Sequence, residues 1–150
     1  MKDIEFTRDA YRGLDLEWFA VDRQGAIAIL TTGYGDIPRA VFESQEKHRR
    51  LVDFFASRPE ASEARAVDRP AGWPGADLNL QEARRGLYSY DHTSYSTLDP
   101  YELIAQPVTP LALAALPDEI RTLLRPFHFE RLEFDTTPRI LVQEHLDCAE

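Results

Sequence analysis

Apolar and polar positions divide the chain into short blocks of two periods. Leu16-Glu17-Trp18-Phe19-Ala20-Val21-Asp22 and Ala26 to Thr32 are strand-like runs separated by Asp22-Arg23-Gln24-Gly25. Turn-forming residues ending in glycine between two such runs predict a β-hairpin, with Gly25 at positive φ. Both runs are apolar on each face near the turn, which predicts central strands covered on two sides. From Ile37 to Ser57 the period becomes helical: Val41, Phe42, Gln45, His48, Leu51, Val52 and Phe55 recur at three-to-four spacing, predicting one long helix. Between hairpin and helix lies Thr31-Thr32-Gly33-Tyr34-Gly35-Asp36-Ile37-Pro38. Its glycines permit a sharp corner with Tyr34 near the tip, Asp36 suits a helix N-cap, and Pro38 suits a first turn.

Pro59 stops the helix, and residues 60–77 form a Pro- and Gly-punctuated connection that presents Trp73 between Gly72 and Pro74. A short helix is predicted over Leu78–Arg85. Two antiparallel strands follow, Gly86–Asp91 and Tyr101–Gln106, with the polar turn His92–Thr97 between them and with Tyr88 and Tyr90 on one face. Pro117 opens a helix over Asp118–Leu124, which Pro126 ends. Phe127–Phe134 reads as a strand whose apolar parity switches between Phe129 and Leu132, calling for a β-bulge near Glu130-Arg131. Arg139–Gln143 reads as a last short strand. The expected fold is α+β: one globular domain over residues 1–150, with a mostly antiparallel sheet of five or six strands packed against one long helix and short helices.

The 150 residues carry a formal charge of −9, which disfavours nucleic-acid backbones and anionic membrane surfaces as partners. The charge is uneven. No Lys or Arg falls between Arg85 and Arg121, where Asp91, Asp99, Glu102, Asp118 and Glu119 do. TTGYGD is close to the potassium-channel filter string, yet the longest apolar runs, LALAAL and AIAIL, are far short of a membrane span of ~20 residues. The N-terminal MKDIEFTRDAYRG has no apolar core of a signal peptide. Cys148, the single cysteine, forms no internal disulfide, and together these features predict a cytoplasmic protein.

The motifs of common catalysts are missing: no GxSxG, HExxH, Walker loop or GxGxxG. Gly33-x-Gly35 before a helix suggests phosphate capture, but Asp36 would already occupy that positive end. Asp91-His92 are strand neighbours that point to opposite faces. His128-x-Glu130 and Glu144-His145-x-x-Cys148 supply metal-ligand types, each too few alone. Cys148 stands among acids near the terminus, an unfavourable setting for a thiolate. No catalytic residue, cofactor or metal ligand is assigned.

Aromatics in turns beside acids suit protein recognition, where aromatic anchors bury and charge complementarity speeds encounter. The candidate partner-binding residues are Tyr34, Trp73, Tyr88, Tyr90, Asp91, Tyr95, Asp99 and Glu102. WFAVDRQGAIAILTTGYGDIP, GLYSYD and YELIAQPVTPL together resemble a group of small bacterial proteins associated with immunity to polymorphic toxins. The blocks are scattered along the chain and hold no mechanistic motif, so no residue role follows from them. The resemblance implies a non-catalytic immunity protein that neutralises a cognate toxin, a basic domain being the electrostatically matched partner. The alternative is a small enzyme or ligand-binding domain with a pocket between the long helix and the sheet, lined by Trp18, Tyr88 or Tyr90. A subunit of a larger assembly is a third reading.

Overall fold

The computed structural model describes residues 5–67 and 76–150; Trp73 lies outside the described residues. In chain order the elements are α1 (Arg8–Tyr11), β1 (Leu16–Val21), β2 (Ile27–Thr32), α2 (Gln45–Ala56), β3 (Ala64–Ala66), α3 (Ala76–Arg84), β4 (Tyr88–His92), β5 (Tyr101–Pro107), α4 (Asp118–Leu124) and β6 (Arg139–Ile140). The strands form one sheet in the order β1-β2-β4-β5-β3, with β6 also joined to β5. Every pair is antiparallel except β2 and β4, so the sheet is mixed. A parallel pair requires a long crossover, and residues 33–87 supply it.

The hairpin forms as its pattern requires. Leu16 pairs with Thr32 and Val21 with Ile27, and Gly25 takes φ +88°. β2 is central, as expected, but β1 is the sheet's hydrogen-bonding edge. That edge is blunted: Phe129 N donates to Val21 O at 2.7 Å, and His48 Nε2 lies 2.7 Å from Glu17 O. Asp22 proves to be more than a turn residue. Its buried carboxylate accepts from Gln24 N, Ala26 N and Phe134 N, each at 2.9 Å, tying the hairpin tip to the C-terminal segment.

Alternation along the strands gives the sheet two different faces. α2 and α3 cover one: Phe19 stacks on Phe55 of α2 at 4.6 Å, and Ser89 meets Asn79 of α3. The other holds Trp18, Leu30, Tyr90, Leu103 and Tyr101. The irregular segment after α4 covers it, with Phe127, Phe129 and Phe134 packed on these rings.

Several expectations change. The helix predicted from Ile37 is broken at Ser44, with a 3-10 turn over Arg39–Glu43 before it. Ile37 precedes proline, which favours extended backbone. Ala149 N donates to Ile37 O, and Arg39 N donates to Asp147 O. Ser44, not Asp36, caps α2, its hydroxyl accepting from Lys47 N at 3.2 Å. The expected strand over 127–134 is a single parallel bridge, Val21 to His128, followed by a turn at Glu130-Arg131. The parity switch is therefore a turn, and the sheet irregularity lies in β4 at Ser89/Tyr90 instead. The connection after Pro59 contains an edge strand, β3. The last strand shortens to Arg139–Ile140, ahead of a 3-10 turn over Val142–Glu144.

Candidate functional site

At the end of β2 the corner around Tyr34 is locked by backbone contacts. Arg8 of α1 is buried, and its Nη2 donates to Gly33 O at 3.0 Å and Gly35 O at 2.9 Å. Burial pulls the guanidinium pKa below its ordinary value, with Arg12 adding to the shift. Gly13 N also donates to Gly33 O. Gly13 holds φ +84°, a backbone conformation that favours glycine, and a Cβ there would stand 2.9 Å from the Tyr34 hydroxyl, which would have to move. Thr32 Oγ1 accepts from Gly35 N at 2.7 Å. The carbonyls that a channel would turn to an ion face an arginine instead.

The loop after β4 leans on this corner. Tyr95 packs against Tyr34 with ring centroids 5.1 Å apart and planes at 62°. Ser94 and Ser96 hydroxyls accept from Ser96 N and Leu98 N, Ser94 donates to Asp99 Oδ2, and His92 Nε2 lies 2.9 Å from Ser96 O. The loop is thus held in shape while Tyr95 is 84% and Leu98 80% exposed. Between loop and corner is a recess of about 300 Å³, whose lining among the described residues includes Asp15, Tyr34, Asp91, His92 and Tyr95 and no lysine or arginine.

The structure brings Tyr34, Asp91 and Tyr95 together here, with Asp99 on the same loop. Tyr88 and Tyr90 are elsewhere, 5% and 0% exposed, because strand alternation turns both rings onto Phe134. The Tyr90 hydroxyl donates to Thr137 O at 2.6 Å, and burial raises its pKa strongly. Both are packing residues and leave the candidate surface. Glu102 lies on β5 beside Arg139, 3.4 Å away.

A polar cluster behind Asp91 escaped the sequence reading. Asn79 Nδ2 donates to Ser89 Oγ at 2.7 Å and to Asp91 Oδ1 at 3.3 Å, while Ser89 Oγ donates to Glu82. Burial pushes the Glu82 carboxyl up to about 7, and the charges of Asp91 and Glu17 act in the same direction. Asn79 and Glu82 share one helix face three residues apart, the only signal the sequence offered.

A second concavity, about 160 Å³, lies between α2, β1 and the 126–127 turn, with Trp18, Phe19, Leu51, Leu123 and Phe127 as its apolar walls and Lys47 and His48 among its polar members. Neither Tyr88 nor Tyr90 reaches it. Burial lowers the His48 pKa, consistent with a neutral ring beside the Glu17 carbonyl. His128, Glu130, Glu144 and His145 line a third recess together with Arg125 and Arg131. Among the described residues no group of three His, Cys, Asp or Glu is arranged to hold a metal ion. Cys148 is not at a loose end: Pro38 and Cys148 form a bridge, and burial pushes the thiol up to about 12.

No protein-family model, curated protein or solved structure matches the chain. Among the described residues no helix is long and apolar enough to cross a membrane.

Proposed function

We propose that this is a non-catalytic partner-binding protein of the immunity type, acting in the cytoplasm by direct contact with a basic protein domain such as a cognate toxin. One observation carries the reading. Two large apolar side chains, Tyr95 and Leu98, stand exposed on a loop that its own hydrogen bonds hold in shape, beside Tyr34, Asp15, Asp91 and Asp99. Rigid aromatic anchors lose little conformational entropy on binding, and surrounding acids speed encounter with a cationic surface. The resemblance of the WFAVDRQGAIAILTTGYGDIP, GLYSYD and YELIAQPVTPL blocks to immunity proteins points to the same class.

The test is a pull-down of the tagged protein from its host at low and at moderately high salt, read by mass spectrometry. A stoichiometric basic protein should be retained at low salt and released at high salt. Leu98→Asp and Asp99→Lys should each lower retention. Variants that retain the partner as the parent does would move the interface off this loop.

A second reading has its own support in the apolar pocket over Trp18. Its volume falls below the ~300–1,000 Å³ of ordinary small-molecule sites and near the ~150 Å³ that admits one benzene ring. Such a pocket suits a single small aromatic or branched aliphatic group, and a shift of the Trp18 indole N–H resonance on adding indole would reveal it.

A further inference from the structure

We propose that α3 is a proton-latched strap over β4 and β5: it lies down with the Glu82 carboxyl protonated and lifts at its N-terminal end when that proton passes to solvent. The device is independent of the partner reading above. α3 packs across β3, β4 and β5, but it is fastened differently from the other helices of the sheet. α2 sends Leu51 and Phe55 into the continuous apolar core, and α4 sends Ile120 and Leu124. Among the described residues α3 sends no side chain into that core. Its underside is Asn79, Glu82 and Ala83, which share one helix face at three- and four-residue spacing. The fully buried apolar group there is the methyl of Ala83, while Leu78 stands 65% exposed. What remains to hold the helix down is polar.

The polar cluster favours a neutral Glu82. The single proton of the Ser89 hydroxyl is spent on the Glu82 carboxyl, and the amide of Asn79 serves Ser89 and Asp91. Strand register sets Glu17, Thr31, Asp91 and Glu102 in one row across β1, β2, β4 and β5, so the helix-covered face carries three carboxyl groups beside this cluster. Burial is the main force against a charged Glu82; Asp91 and Glu17 add to it, and Arg85 at the end of α3 opposes them. Glu102 on β5 is 3.4 Å from Arg139, and Arg65 is the charged residue of β3. A neutral carboxyl keeps the bond from Ser89, accepting at one oxygen while its proton sits on the other.

The C-terminal end of α3 has fastenings of its own. Arg84 O accepts from Ala61 N and Ser62 N, and Leu87 N donates to Glu82 O, so lifting begins at the opposite end. A helix of nine residues is marginal in water once off its surface, and its amides then exchange.

The test is native-state hydrogen exchange of the full chain at pH 5.5 and pH 8.5, corrected for the intrinsic pH dependence of exchange, in the parent and in Glu82→Gln. In the parent the amides of Leu80 to Arg84 should be less protected than those of Ile29 and Leu30 in β2 at both pH values. Their protection should fall about thirtyfold between the two, the ratio set by a carboxyl that titrates near 7 when α3 is down and near 4.5 when it is released. In Glu82→Gln the fall should vanish. The Glu82 carboxyl carbon, followed by NMR in the parent, should titrate near 7. Amides of α3 as protected as those of β2, a fall that persists in Glu82→Gln, or a carboxyl midpoint near 4.5 overturns the proposal.

Discussion

The recess beside Tyr34 and the pocket over Trp18 are both concave, but they are made of different materials. Loops and the ends of β2 and β4 build the recess, and main-chain hydrogen bonds to Arg8, Thr32, Ser94 and Ser96 hold its shape. Its aromatic wall projects into solvent at Tyr95. The walls of the pocket are side chains of β1 and α2 together with Leu123 and Phe127, and they continue directly into the core. Trp18 is 1% exposed, and its Nε1 donates to the Tyr101 hydroxyl, which donates to Asp36 O at 2.7 Å. A surface held by backbone can exchange its side chains with little effect on folding. A pocket walled by the core cannot, and that asymmetry favours the recess as the place where recognition is specified.

The largest effect expected from breaking this contrast is on stability. Trp18→Ala should cost about 3–5 kcal/mol, from lost burial and the cavity left in the core, whereas Tyr95→Ala should stay within about 0.5 kcal/mol. Urea unfolding of both variants measures the difference. Comparable losses would mean that the exposed loop is part of the folding unit.

A smaller effect concerns the acids behind the recess. The Glu82 carboxyl is raised to about 7 in the fold, first by burial and then by Asp91 and Glu17, while the Ser89 hydrogen bond and Arg85 oppose the shift. The native state therefore binds this proton more tightly than the unfolded chain, whose carboxyl titrates near 4.5. The stability this provides is complete below about pH 4.5 and is lost as pH rises to about 7. Glu82→Gln should stabilise the protein by about 2 kcal/mol at pH 8 and by almost nothing at pH 4. An identical gain at both values would show that the carboxyl titrates normally.

The smallest of these effects sharpens the account of the corner. Arg8→Met removes two hydrogen bonds to loop carbonyls and should cost about 1–2 kcal/mol. Amide exchange at Gly33 to Gly35 should accelerate, with the core amides of β2 unaffected. Unchanged exchange would mean that Gly13 and Thr32 hold the corner without the clamp.

Much of this was legible in the chain. The hairpin, the helix over Asp118–Leu124 and the shared face of Tyr88 and Tyr90 follow from local period and turn chemistry, which depend on neighbours only. Tyr34, Tyr95 and Asp99 could be marked as turn aromatics and a turn acid. That Tyr34 and Tyr95 touch could not be known, because 60 residues of chain separate them and β2 pairs with β4 in parallel. The buried fates of Tyr88 and Tyr90 were equally hidden. Alternation puts them on one face, but what covers that face is Phe134, brought there by the carboxylate of Asp22 from 112 residues away.

The sequence by itself determined the α+β class, the acidic charge and its lysine- and arginine-free stretch, and the short-range elements. Those properties sum over residues or arise within a few bonds along the backbone. The tertiary structure alone decided the strand order, the break of the helix at Ser44 and the closure of one sheet face by irregular chain. It also made the meeting of Arg8, Tyr34, Asp91, His92 and Tyr95. Each of these depends on partners distant in sequence, whose hydrogen bonds and burial outweigh the local preference of the segments they reorganise.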